Sequence, residues 1–266
     1  MMIVGQEKIC TKIDQLTLDS FPRTLMLVGP YGSGKHLIVD YIAKKFNLTV
    51  RDITTTLTLE VIEELSERVE PYLYIIETAQ LNVKQENTIL KFLEEPLKNS
   101  YIVLLAETTN GLLPTIVNRC QSWQLQNYTQ DTLRSFLTNN NIDVLTVATT
   151  PGQVIEFCNI DFSGVIALAE KIITHIEIAN IANTLTLTNK VSVKEEQGKH
   201  QLKHLVAILQ QRFVEHYKQT NDVRYSQGYL LTNDLYKRLT VKNLDYKALF
   251  DKYLIQLRKV MRGELT

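Results

Sequence analysis

The hydrophobic pattern changes character near the middle of the chain. Up to residue 126, short apolar runs of strand type alternate with segments whose apolar residues recur at helical spacing. A short helix is predicted over 6–18, with Ile9, Ile13 and Leu16 on one side and Pro22 closing the lead-in. Thr24 to Val28 reads as a buried strand. A helix over 34–46 follows, with Leu37, Ile38, Tyr41, Ile42 and Phe46 at helical spacing. Residues 47–53 predict a second strand, and 57–69 an amphipathic helix stopped by Pro71. Tyr72 to Thr78 and Tyr101 to Ala106 are buried-type strands, separated by a helix through Ile89, Leu90 and Leu93 that ends at Pro96. Leu112 to Cys120 predicts a short helix and Gln121 to Gln126 a last strand. Such alternation predicts a three-layer α/β domain with a mostly parallel sheet.

After Asn127 the strand signals fade. Tyr128 to Asn139 and Gly152 to Cys158 look helical, joined by polar residues and the turn Thr149-Thr150-Pro151-Gly152. Residues 163–182 are apolar on several sides, which predicts a helix buried on more than one face. Residues 184–197 read as a polar connection. Over 199–218, Leu202, Leu205, Val206, Leu209, Phe213 and Tyr217 share a face; over 246–261, Tyr246, Leu249, Phe250, Tyr253, Leu254, Leu257 and Met261 do so. The second part of the chain is therefore predicted to be all-helical, its stripes mainly core, with oligomerisation as their further use.

The first predicted strand runs into Gly29-Pro30-Tyr31-Gly32-Ser33-Gly34-Lys35-His36, of the form G-x-x-x-x-G-K. Strand, glycine loop and helix start together make a phosphate cradle, the P-loop. Backbone N–H groups face the phosphates, the helix start adds positive potential, and Lys35 reaches the outer phosphates. ATP or ADP is the expected ligand. One position departs from the pattern: the residue after the lysine is normally Ser or Thr, whose hydroxyl binds Mg²⁺, and here it is His36. Magnesium favours oxygen ligands, so an imidazole is a poor substitute. The third strand carries a second departure. Its end normally presents Asp-Glu, one residue orienting the metal and the next activating water; here Glu77 and Thr78 stand there. A threonine cannot act as that base. Glu77 has two readings, a strand-end carboxylate or a residual metal-site residue. Glu107 to Asn110 read as a solvated turn, and Lys84 and Lys91 as solvated lysines on a helix.

Composition narrows the class. Hydrophobic residues are 44% and charged residues 22% of 266, as in globular proteins. No apolar run approaches the roughly 18–20 residues that span a bilayer, and the first residues lack a signal-peptide pattern. A cytoplasmic location without membrane attachment is expected. Cys10, Cys120 and Cys158 lie far apart with no C-x-x-C pair, which argues against a disulfide framework or a zinc site. Net charge is zero. Residues 1–126 hold 12 basic and 15 acidic residues, net −3, and 127–266 hold 17 and 14, net +3. Neither half has the basic excess of an independent nucleic-acid binder.

Two further segments carry a resemblance. Asn87-Thr88-Ile89-Leu90-Lys91-Phe92-Leu93-Glu94-Glu95-Pro96 is close to the pattern Asn-x-Leu-Leu-Lys-x-Leu-Glu-Glu-Pro, and Leu112-Leu113-Pro114-Thr115-Ile116-Val117-Asn118-Arg119-Cys120 to Leu-Leu-Pro-Thr-Ile-x-Ser-Arg-Cys. With the spacing of Gly29–Lys35 and Tyr74–Ala79, residues 24–126 resemble the AAA+ clamp-loader family, and within it the delta-prime type of subunit of bacterial DNA polymerase III. The resemblance implies an AAA+ P-loop domain over 1–126, a small helical lid over 127–160 and a helical collar over 161–266. It implies partners: other clamp-loader subunits through the collar, a sliding clamp, and primer–template DNA within the complex. It implies that Arg119 is an arginine finger reaching a neighbouring subunit's phosphates, and that this chain is a non-hydrolysing member. An active ATPase of such a complex, with Glu77 holding magnesium, is the alternative. A P-loop kinase has no substrate-binding constellation to support it. The departures are Asn118 for Ser, His36, Thr78, the missing four-cysteine zinc module, and no sensor arginine at Gln153 or Val154 after Gly152.

Overall fold

The computed structural model describes residues 3–58, 71–81, 83–94, 100–109, 112–139, 141–180, 182–183, 196–239 and 245–264. The predicted helix over 57–69, the end of the motif at Glu95 and Pro96, and most of the polar connection over 184–197 lie outside the described residues. The chain divides into two compact units. One comprises residues 1–140 and 148–156, the other 141–147 and 157–266.

The first unit is α/β. In chain order it has α1 (Glu7–Gln15), β1 (Thr24–Val28), α2 (Lys35–Phe46), β2 (Thr49–Asp52), β3 (Tyr72–Glu77), α3 (Val83–Glu94), β4 (Ser100–Ala106), α4 (Pro114–Asn118), β5 (Gln121–Gln124) and α5 (Gln130–Arg134). The strands form one sheet in the order β2-β3-β4-β1-β5, every pair parallel. The register sets Val28 beside Ala106 and Gln124, so the P-loop leaves the sheet at its carboxyl edge, where open α/β sheets bind ligands.

Successive residues of a strand point to opposite faces, and β1 shows this in its packing. Leu25 and Leu27 join one buried cluster with Ile13, Ile38, Ile42 and Val103. Met26 and Val28 join the other with Tyr74, Ile89, Phe92 and Leu104. A sheet covered on both faces needs continuous apolar strands, which is why β1, β3 and β4 read as unbroken runs. The predicted P-loop α/β fold on a parallel sheet, followed by helices, is the fold observed.

The helical unit contains α7 (Phe162–His175), α8 (Glu196–Thr220), α9 (Val223–Arg238) and α10 (Tyr246–Met261); α6 (Pro151–Cys158) begins in the first unit. Helix α8 packs against α7 and α9, and α9 against α10. Leu202, Leu205, Leu209, Phe213, Phe250, Leu254 and Leu257 fill the interior. Asp161, Asp222 and Asp245 cap three of these helices, each side chain accepting first-turn backbone N–H groups.

Two boundaries and one burial pattern differ from the sequence expectation. The helix expected over 163–182 ends at His175; Ile178 is 79% exposed, and the Ala179 carbonyl accepts a hydrogen bond of 2.7 Å from Arg258 Nε instead of continuing the helix. On α7, Val165, Ile166 and Leu168 are only half-buried. Of the helix expected over 128–139 only Gln130–Arg134 forms, started by Thr129 Oγ1 accepting the Thr132 N–H. Among the described residues, no single helix is long and apolar enough to cross a membrane.

Candidate functional site

The P-loop is held open from outside. Gly29 N–H donates to the Ala106 carbonyl at 3.0 Å, tying the loop's start to β4. Three consecutive loop carbonyls are then bound. Tyr31 O accepts from Thr150 Oγ1 at 2.8 Å, Gly32 O from Gly152 N–H at 3.0 Å, and Ser33 O from the Tyr128 hydroxyl at 2.8 Å. A trans peptide sets C=O and the following N–H on opposite sides, and no described bond is cis. The N–H groups of Gly32 and Gly34 are therefore turned away from these clamps. Gly34, left-handed at φ +87°, caps the start of α2, whose first N–H groups have no partner within the helix. The cradle is formed in the way that binds an anion.

Gly32 has no substitute. Its φ is +76°, and an added Cβ would lie 2.7 Å from Thr150 Oγ1, 2.9 Å from Gly152 Cα and 3.0 Å from Gln153 N. Two of these are backbone neighbours that have little room to yield. Gly32→Ala is expected to destabilise the first unit by about 1–3 kcal/mol, read as an earlier urea midpoint of tryptophan fluorescence. Trp123 is the single tryptophan of the chain and is buried in that unit.

Beside the loop lies a cavity of about 310 Å³ whose lining includes Tyr31, Lys35, His36, Glu77, Leu105 and Glu107. Lys35 Nζ donates to Gly29 O at 2.6 Å and Pro30 O at 3.0 Å. Burial pulls its ammonium below the ordinary lysine value, and the charges of Glu107 and Glu77 oppose that shift. Burial, helped by Glu156 and Glu107, pushes the Tyr31 phenol up. The Ser33 hydroxyl is buried without a hydrogen-bond partner among the described residues.

Position 36 brings its side chain to the end of β3. His36 Nε2 lies 2.9 Å from Glu77 Oε1, and Glu77 is itself fixed by its N–H donating to Thr54 Oγ1 at 2.9 Å. Thr78 is turned inward, its buried hydroxyl donating to the Leu105 carbonyl at 3.1 Å. The set fits a phosphate group: oriented N–H donors, a lysine and an unpartnered hydroxyl. It does not fit magnesium, because the hydroxyl ligand is replaced by an imidazole that engages the neighbouring carboxylate. Among the described residues, no group of three or more His, Cys, Asp or Glu is placed to hold a metal ion.

Arg119 is not part of this cavity. It caps α4 at the amino edge of the sheet, its carbonyl accepting from Thr24 Oγ1 at 2.6 Å. The P-loop leaves β1 at the other end, about 13 Å away at the usual rise per strand residue. Arg119 Nη2 lies 2.5 Å from Glu94 Oε1 and Nη1 donates to Thr115 O at 3.1 Å. Glu94 belongs to segment 87–96 and Arg119 to segment 112–120, so the ion pair joins the two. Lys84 and Lys91 are exposed on α3. The sequence reading missed Thr150, Gly152, Tyr128 and Thr54; the turn at 149–152 was its one signal.

Residues 48–129, less than a third of the chain, match the family described as DNA polymerase III, delta subunit. Two curated relatives are DNA polymerase III subunits delta'. The one from Bacillus subtilis is 47% identical over 55 residues, 20% of this chain and 17% of that protein. The one from Haemophilus influenzae is 42% identical over 52 residues, 20% of this chain and 16% of that protein. The matched stretch is thus about a sixth of either relative's length. A DNA polymerase III gamma subunit-related protein from Thermotoga maritima superposes at TM-score 0.47 and 15% identity, covering 97% of this chain and 100% of that structure.

Proposed function

The chain is clamp-loader-like over residues 48–129, and from that premise we propose that it works as a delta-prime-like subunit of a DNA polymerase clamp loader. In this reading the chain does not hydrolyse ATP itself. It stands next to an ATPase subunit and contributes Arg119 to that subunit's phosphates. An arginine suits the task because it is permanently charged and forks onto phosphate oxygens.

The observation that carries the reading is the separation of two functions within one module. Arg119 sits at the amino edge, held by Glu94 and Thr115, at the end of β1 opposite its own P-loop. The P-loop meanwhile keeps its cradle but has His36 and Thr78 where catalysis needs a metal ligand and a base. A module so arranged is suited to act on a neighbour rather than on itself. Its own nucleotide, ATP or ADP, is a structural ligand held by Gly29 to Lys35. Residues 161–266 serve as the collar that joins the other subunits, residues 127–160 as the lid, and the sliding clamp and primer–template DNA are engaged by the assembled loader in the cytoplasm.

Association is the first thing to test. Co-expressed with the ATPase and remaining subunits of a DNA polymerase III clamp loader, the chain is expected to elute with them at the mass of one complex by light scattering. That complex is expected to load a sliding clamp onto primed DNA faster than one lacking the chain. Elution as a separate species, with loading unchanged, would reject the reading.

A further inference from the structure

The charges around the P-loop point to a particular form of nucleotide. Of the described residues lining the cavity, Glu77 and Glu107 are acidic, Lys35 is basic, and His36 contacts Glu77. Both carboxylates act on Lys35 in the direction opposite to its burial, which remains the larger effect. In a P-loop with its metal, the third phosphate is neutralised by Mg²⁺ held on the hydroxyl of the residue after the lysine. Here that residue is His36, and its ring nitrogen lies 2.9 Å from the carboxylate at the end of β3.

From this we infer that the Gly29–Lys35 cradle binds a nucleoside diphosphate without a metal ion, in preference to the triphosphate. Two residues set the preference. His36 removes the hydroxyl ligand and engages Glu77, so magnesium has no seat. Glu107, on the cavity wall near Lys35, then repels a third phosphate whose charge no metal ion offsets. A diphosphate still gains the turned N–H groups of Gly32 and Gly34, the start of the twelve-residue helix α2, the Lys35 ammonium and the unpartnered Ser33 hydroxyl. The inference rests on the reading of this P-loop as a structural nucleotide site.

The probes are ADP, ATP and inorganic pyrophosphate, titrated into the full chain by calorimetry in EDTA and again in excess magnesium. In EDTA, ADP is expected to bind about tenfold more tightly than ATP, the size of one unfavourable charge at moderate distance in a partly solvated site. Pyrophosphate is expected to compete with ADP. Magnesium is expected to tighten neither nucleotide. His36 has 59% of its side chain exposed, so His36→Thr leaves packing intact; it is expected to make ATP binding tighten with magnesium. Glu107→Gln is expected to narrow the gap between ADP and ATP. A wild-type chain whose ATP affinity rises tenfold or more with magnesium overturns the inference, and so does a chain that binds none of the three probes. Either result leaves assembly with the other subunits untouched. Conversely, metal-free ADP binding by a chain that never enters a clamp-loader complex would sink the subunit reading and keep this one.

Discussion

If Arg119 acts as the proposed finger, replacing it by alanine is expected to lower ATP turnover by the assembled complex by about 10³–10⁵ at the neighbouring site, the range an arginine finger supplies. The fold should tolerate the change. Arg119 is a capping residue on the surface, and its side chain makes one ion pair with Glu94 and one bond to a backbone carbonyl. An exposed pair of this kind contributes about 0–1 kcal/mol. A loss of turnover that large with an unchanged melting curve therefore separates chemistry from stability. Arg119→Lys should recover little, because a lysine keeps the charge and loses the fork. The measurement is single-turnover hydrolysis by complexes of equal mass carrying the wild-type, alanine or lysine chain. Equal rates in all three would remove Arg119 from the mechanism. Alanine replacement of Glu94 offers a companion test, since it frees Arg119 without removing it; turnover should survive.

Phe92→Ala is expected to cost the first unit about 3–5 kcal/mol, as for other buried phenylalanines truncated in a well-packed interior. Phe92 is fully buried, and its ring meets Tyr74 edge-on with centroids 5.9 Å apart. Tyr74 is level with Ile102 and, through it, with Thr24 at the start of β1, so the cavity left by the truncation opens toward the amino edge of the sheet, the edge that holds Arg119. Segment 87–96 thus has a structural reason for its apolar positions: Ile89, Phe92 and Leu93 seal one face of the sheet, while Glu94 stays outside to meet Arg119. Trp123 lies in the cluster on the opposite face and reports unfolding of the whole unit. A urea midpoint moved by less than about 1 kcal/mol equivalent would mean that α3 is not part of the cooperative core.

Much of this was legible along the chain because the physics is local or periodic. Strands β1, β3 and β4 are covered on both faces and so appear as continuous apolar runs. Helix α10 was placed at residues 246–261 because its buried residues are large, and its observed bounds are Tyr246–Met261. Helix α9 was not foreseen although it is sixteen residues long. Its buried positions are Gly228, Thr232 and Leu235, correctly spaced for one face but mostly small or polar, so no hydrophobic stripe marks them. Thr232 is instead satisfied by hydrogen bonds of 2.7 Å to the Gly228 carbonyl of its own helix and to the Tyr253 hydroxyl, the second of which depends on a helix elsewhere in the chain. The reverse error occurred after His175, where isoleucines continue but the helix does not.

The candidate site divides in the same way. The cradle from Gly29 to Lys35 was readable because a glycine pattern between a strand and a helix is local. The departures at His36 and Thr78 were readable as residue types, but not their consequences. That His36 reaches Glu77, 41 positions on, and that Thr78 turns to the Leu105 carbonyl are long-range contacts. The clamp on the loop from Thr150 and Gly152 joins residues about 120 positions apart, and no spacing rule reaches that far. The pairing of Arg119 with Glu94 likewise appears only once α3 and α4 are folded.

The central claim is that this P-loop has kept its cradle and lost its catalysis. The most direct test is steady-state ATP hydrolysis by the isolated chain with magnesium, beside its Lys35→Ala variant. Without a base at position 78, hydrolysis should lie about 10²–10⁴ below that of an equipped site, and Lys35→Ala should leave the same background. Turnover well above background that disappears with Lys35→Ala would contradict the account and make the chain an ATPase in its own right.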